Sequence, residues 1–225
     1  MDSQVISKQR VADHGEVLTG RREVNAMLDL MKQETERIDS RFLEPACGDG
    51  NFLAEILARK LCVVEARYGR SQTDYERNAV LAVSSAYGID IQEDNVIACR
   101  QRLFALFDTA YTLRFKSKAK DGCRDAVRFI LSLNIVWGDA LLLKTGADPP
   151  QPIEFSEWSL VRGSFLKRRM FAFHELSPSE IEAGPSLFDA PLRSDQGEAV
   201  FIPSPLKEFP LTHYLKVADA EPQDA

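Results

Sequence analysis

Three observations predict an α/β fold with an incomplete parallel sheet, helices on both faces, and a C-terminal β-hairpin and irregular tail. Short apolar segments at Phe42–Ala46, Tyr87–Ile91 and Asn134–Trp137 alternate with longer stretches of helical period. Each apolar segment runs into a turn carrying glycine or aspartate, as strands do at their carboxyl ends. Beyond Lys144 the pattern changes to alternation around Arg162-Gly163, followed by a region punctuated with Pro, Ser and Gly.

Taken in order, Val24, Met27, Leu28 and Met31 fall at i, i+3, i+4 and i+7, one stripe of an amphipathic helix with Thr19 as its expected N-cap. The first strand follows and stops at Cys47-Gly48-Asp49-Gly50. Phe52, Leu53, Ile56, Leu57 and Leu61 mark a helix leaving that turn, and Tyr75 to Ala86 form another. After the second strand, Val96, Leu103, Phe104, Phe107 and Tyr111 lie along a further helix. A helix around Arg124–Leu133 leads into the third strand, which ends at Gly138-Asp139 and carries Trp137 as a core residue. Ile153–Trp158 and Ser164–Phe173 read as a hairpin. In the tail, Ser177-Pro178, Gly184-Pro185, Pro191 and Pro203-Ser204-Pro205 interrupt any long element, and 218–225 read as frayed. The expected division is a body over 1–145 and an extension over 146–225.

The bulk properties exclude several classes. No apolar run approaches the roughly 18–20 residues of a membrane helix. The start, Met1-Asp2-Ser3-Gln4, has no signal-peptide pattern, so a cytoplasmic location is expected. The cysteines at 47, 62, 99 and 123 lack paired metal-ligand spacing, so reduced thiols and no metal are expected. A net charge of −6 argues against a surface that clings to nucleic acid throughout. Local contact remains open at Arg114–Lys120 and Lys167-Arg168-Arg169, each of which also fits a solvated face.

Parallel doubly wound sheets bind ligands beyond the carboxyl ends of their strands, and three features fall there. Gly48 and Gly50 let the backbone turn sharply and approach a ligand. Asp90 stands where an acid accepts from both hydroxyls of a ribose. Asp139 is placed to accept from an exocyclic adenine amine, with Ala140 and Leu141 packing on the ring. Together they point to a nucleoside-containing ligand. Each also has a structural reading: turn glycines for Gly48 and Gly50, a surface or capping acid for Glu44, solvated strand-end acids for Asp90 and Asp139, and a space-filling thiol for Cys47. A nicotinamide dinucleotide fits less well, because Leu53 stands where the third glycine of Gly-x-Gly-x-x-Gly belongs.

The segment Leu43-Glu44-Pro45-Ala46-Cys47-Gly48-Asp49-Gly50-Asn51-Phe52 resembles the acidic-Pro-x-Cys-Gly-x-Gly motif of the adenine-N6 DNA methyltransferases of restriction–modification systems. Upstream, His14-Gly15-Glu16-Val17-Leu18-Thr19-Gly20 resembles the segment that precedes the first strand in that family, with Gly20 where proline is usual. The resemblance covers about Arg10 to Leu143 and implies a class I methyltransferase-like Rossmann fold. It implies S-adenosyl-L-methionine as cofactor, held by Thr19, Glu44, Pro45, Cys47, Gly48, Gly50, Asp90, Ile91, Asp139 and Ala140.

Family members also carry Asn/Asp-Pro-Pro-Tyr/Phe after a fourth strand, where polar groups orient the target amine and the aromatic stacks on the flipped base. The candidate here is Asp148-Pro149-Pro150-Gln151, which has no aromatic and no preceding apolar strand. Half a doubly wound sheet also leaves an apolar face and edge to be covered by a second copy, a partner chain or the tail. The expectation is therefore the cofactor-binding subunit of a split DNA methyltransferase, whose partner carries the catalytic motif. The alternatives are a non-catalytic cofactor-sensing or scaffold protein, and a self-sufficient enzyme using Asp148, Pro149 and Pro150.

Overall fold

A computed structural model describes residues 19–176, 192–193, 199–200 and 204–219. The upstream segment His14–Leu18 and most of the tail's proline positions lie outside them.

Helix α1 (Arg21–Leu30) starts from Gly20 as N-cap with no side-chain cap, so Thr19 does not take the expected capping role. Val24 and Leu28 are buried, whereas Met27 and Met31 stay about half exposed, at 51% and 46%. The apolar stripe is wider than the surface α1 buries against the body. Short α2 (Lys32–Thr35) leads to β1 (Phe42–Glu44). Helices α3 (Asn51–Tyr68) and α4 (Gln72–Ser84) connect to β2 (Ala86–Asp90). Helices α5 (Glu93–Phe115) and α6 (Asp121–Asn134) connect to β3 (Ile135–Asp139). A two-residue strand, β4 (Lys144–Thr145), turns back antiparallel on β3.

The sheet order is β1-β2-β3-β4, with β1–β2 and β2–β3 parallel. Ala86 and Gly88 of β2 face the helices; a Cβ on Gly88 would lie 2.9 Å from Cys47 Sγ and 3.0 Å from Leu53 Cδ1. Tyr87 and Ile89 face the other way. The pattern of strands and helices predicts helices on both faces, but α3 to α6 pack on one. Two crossovers that step in the same direction, each of the right-handed kind sheets favour, lay their helices on one side. Covering the second face with helices requires strands beyond β1, and no strand lies there among the described residues.

The second face is covered instead by the hairpin β5 (Glu154–Val161) and β6 (Phe165–Ala172). Ile153 and Phe155, with Phe173 of the four-residue α7 (Phe173–Leu176), bury Tyr87 and Ile89. Tyr87 and Phe173 pack edge-on against Phe155, and the Tyr87 hydroxyl donates to Ser156 O at 2.9 Å. The turn falls at Arg162-Gly163 as expected, with both residues at positive φ.

Farther along, β7 (Leu192–Arg193) pairs with β8 (Ala199–Val200), while β9 (Lys207–Glu208) and β10 (Thr212–His213) add to β6. A 3-10 turn, Tyr214–Asp219, packs on α6. Trp158, Leu166, Tyr214 and Val217 join the helices in one apolar core, so the body and the extension share packing across residue 145. Asn134 is the polar tie: its Nδ2 donates to Ser84 O and Ala86 O, and its Oδ1 accepts from Trp158 Nε1. No helix among the described residues is long and apolar enough to cross a membrane.

Candidate functional site

A cleft of about 440 Å³ opens at the carboxyl ends of β1, β2 and β3. Its walls bring together Thr19, Glu44, Pro45, Cys47, Gly48, Asp90, Ile91, Asp139 and Ala140, nine of the ten residues expected to bind the cofactor. Gly50, the tenth, lies beneath the turn. Its φ of +88° strains any L-residue, and a Cβ would stand 2.6 Å from Cys99 Sγ. Gly48 also has positive φ, at +52°. The two glycines let the chain double back between β1 and α3, which starts from Gly50 without a side-chain cap.

Asp90 holds the turn against β2. Its Oδ2 accepts from Gly48 N at 2.8 Å; its Oδ1 accepts from Gln92 N at 2.9 Å and Asn95 Nδ2 at 3.2 Å. Asp139 Oδ1 accepts from the N–H groups of Leu141 (2.8 Å) and Leu142 (3.0 Å), which curls the chain after β3 along the cleft wall. Trp137, a core residue by its sequence pattern, is only half-buried, with its Nε1 donating to Ile91 O at 3.0 Å and Gly146 packed against its ring. It joins the loops after β2 and β3.

Burial raises the carboxyl of Glu44 above the usual range, although a hydrogen bond with the Ala46 backbone works the other way. The Cys47 thiol is pushed well up by its contact with Cys99, by burial and by nearby acids, so it is a packed neutral thiol and no nucleophile. The described cysteines are free, and no cluster of His, Cys, Asp or Glu able to hold a metal occurs among the described residues.

Two cleft residues carry no signal in the sequence. Gln92 and Asn95 reach it because helix α5 begins there, as Phe52 does from the start of α3. Arg102, one face of α5 away, grips Asp49 from behind at 2.6 Å and 3.1 Å.

Asp148-Pro149-Pro150 does not line the cleft. It forms the exposed tip of an excursion pinned by Thr145 N to Gln151 O (2.8 Å) and Gln151 N to Thr145 Oγ1 (3.0 Å). The basic cluster on β6 is internally neutralised. Lys167 pairs with Glu208 at 2.9 Å and Arg169 with Glu157, while strand alternation turns Arg168 inward over Phe209, 4.1 Å from its centroid. In the other cluster, Arg114 donates to Gly69 O at 2.9 Å and Lys120 pairs with Glu76 at 2.8 Å, and these two, Lys116 and Lys118 are all exposed. No family model, curated protein or solved structure matches the chain.

Proposed function

We propose that the chain is the S-adenosylmethionine-binding subunit of a DNA adenine-N6 methyltransferase, acting with a partner that carries the Asn/Asp-Pro-Pro-aromatic motif. The observation that carries this reading is the charge of the cleft. Glu44, Asp90 and Asp139 line it, Asp49 is spoken for by Arg102, and among the described residues no lysine or arginine lines it. Phosphate-bearing ligands need cationic or N–H-rich cradles. A wall of carboxylates suits a nucleoside that carries positive charge, and S-adenosylmethionine has a net charge of +1 from its sulfonium, ammonium and carboxylate. The volume falls within the roughly 300–1,000 Å³ of small-molecule sites.

In this reading Asp90 accepts from the ribose hydroxyls, Asp139 takes the adenine amine, and Ile91, Ala140 and Leu141 pack on the ring. Glu44 and Thr19 face the amino-acid end. The bound cofactor supplies an already activated methyl group, so the chain's own task is to position it and to exclude water.

Need for a partner is supported by two further features. Among the described residues, no pattern for the target amine lies in the cleft and no strand lies beside the outer edge of β1. Leu43 on β1 is 43% exposed, and Ile91 and Leu141 form an exposed apolar rim at the cleft.

Calorimetric titration with S-adenosylmethionine tests the first half; absence of binding sinks it. Mixing the chain with the product of its neighbouring gene and assaying adenine methylation of DNA tests the second. Binding without transfer in every such mixture leaves the cofactor-sensing role.

A further inference from the structure

The turn between β1 and α3 is flanked by two glycines, and α3 offers no side-chain cap to stiffen it. Its inner half is tied to β2: Cys47 N donates to Ile89 O at 2.9 Å and Gly48 N reaches across to Asp90, while Gly50 N closes the turn onto Cys47 O at 2.9 Å. What orients the outer half of the turn is a side chain from a different element. Arg102 of α5 places its two terminal nitrogens on the two carboxylate oxygens of Asp49, Nη1 on Oδ1 at 3.1 Å and Nη2 on Oδ2 at 2.6 Å. Nη1 also donates to Asn51 Oδ1. Asn51 in turn donates from Nδ2 to Thr19 O at 3.4 Å. Asp49, Asn51 and Thr19 line the cleft, and Arg102 does not.

We infer that Arg102 is a positioning residue for the cofactor turn: through Asp49 and Asn51 it sets the shape of the cleft and cancels one of its charges, without touching the ligand. The inference rests on the cleft being the S-adenosylmethionine site. The chemistry requires arginine. A planar fork satisfies both carboxylate oxygens and still reaches the Asn51 carbonyl oxygen, whereas an ammonium on a flexible stem acts as a point charge. With Arg102 side-chain exposure of 38%, the pair adds little to global stability, as partly exposed ion pairs generally do. Its effect therefore falls on local order at the turn. Two glycines otherwise leave that turn loose, and a ligand would have to order it on binding. The second consequence is electrostatic. Uncovering Asp49 adds an unpaired carboxylate to a cleft already holding three, so Arg102 and Asp49 must be removed together to separate geometry from charge.

The test uses the full chain in wild-type, R102A, R102K, D49N and D49N/R102A forms. Amide hydrogen exchange is measured first, with no ligand present. R102A and R102K speed exchange at residues 48–51 about tenfold, while exchange in α4, α6 and β2 and the thermal midpoint stay close to wild type. Unchanged exchange at 48–51, or acceleration spread over the whole chain, overturns the inference whether or not any ligand binds. Titration with S-adenosylmethionine follows. R102A weakens binding about tenfold, R102K recovers little, and R102A has a much smaller effect in the D49N background because the two act through one another. Additive losses overturn the route through Asp49. A wild-type chain that fails to bind S-adenosylmethionine removes the cofactor reading, and the exchange measurement then decides the role of Arg102 alone.

Discussion

The carboxylate of Asp90, at the end of β2, accepts a 2.8 Å hydrogen bond from the backbone N–H of Gly48, in the turn after β1. One acid thus ties two neighbouring strand ends together and forms a wall of the cleft between them. Its Oδ1 is engaged by Gln92 N and Asn95 Nδ2. The side chain is therefore fixed before any ligand arrives, and a donor group of a ligand would meet a preorganised acceptor.

Replacing Asp90 separates these two roles. Asp90→Ala removes the acceptor of three donors and costs about 1–3 kcal/mol of stability. Asp90→Asn keeps an acceptor for Gly48 but removes the charge. Titration with S-adenosylmethionine is expected to show at least a tenfold loss in both variants. Wild-type affinity in Asp90→Asn would mean that Asp90 serves the turn alone.

Charge selectivity is a second expectation. With Glu44, Asp90 and Asp139 in the cleft walls, a unit positive charge about 8 Å from one carboxylate gains about 2 kcal/mol at an effective dielectric constant near 20, before desolvation. S-adenosylmethionine, and sinefungin, which has an ammonium group in place of the methylsulfonium, are expected to bind several-fold tighter than neutral S-adenosylhomocysteine. The gap narrows as salt is added. Equal affinity for the three ligands at low salt contradicts the electrostatic basis of the proposal.

The three parallel strands and their helices are legible because each declares itself locally. Tyr87–Ile91 is apolar except for the acid Asp90 near its end, and α5 and α6 carry helical periodicity. The turn at Arg162-Gly163 is equally visible. What local pattern does not reveal is the partner of each face. The stripe on α1 says that Met27 and Met31 are apolar but not that the body buries only Val24 and Leu28. Lys167-Arg168-Arg169 reads as a basic run, yet period-two alternation sends Arg168 against Phe209 and hands its neighbours to Glu208 and Glu157. Arg102 is invisible for the same reason. Its link to Asp49 spans 53 positions and has no local signal.

Glu76 anchors the C-terminal turn. Fully buried, it accepts from Tyr214 (2.6 Å), Tyr111, Lys120 (2.8 Å) and Gln72 (2.8 Å). Burial works to raise its pKa, but Lys120, the two tyrosines and Gln72 together hold it below the ordinary carboxylate value. A depressed carboxyl contributes stability that is present above the unfolded value of 4.5 and lost as pH falls through the folded one. Glu76→Ala leaves the two buried tyrosine hydroxyls without their acceptor and the half-exposed Lys120 without its partner, and is expected to cost about 1–3 kcal/mol for each hydroxyl. Tyr214→Phe costs about 1 kcal/mol. Chemical denaturation at pH 7 measures both; equal losses would show that the hydroxyl of Tyr214 and not the carboxylate carries the anchor.

At the opposite end of the sheet from the cleft, Lys60 is completely buried, donating to Ser40 O and Ser85 Oγ beneath the ring of Phe42. Burial lowers its pKa from 10.5 to about 7, against the pull of Asp39 and Glu34. The folded state holds this proton more weakly than the unfolded state does. Between pH 7 and 10.5 the unfolded chain therefore binds more protons at Lys60, and this residue's contribution to stability rises with pH across that window. The rise is about 1.36 kcal/mol for each pH unit between the folded and unfolded pKa values, a few kcal/mol in all. Lys60→Met fills a similar volume without a charge to bury and is expected to flatten the pH dependence of unfolding free energy between pH 7 and 10. It is also expected to stabilise the protein most below pH 7, where the buried amine is protonated in both states. A Lys60→Met profile parallel to wild type across that window would place the proton uptake on other groups.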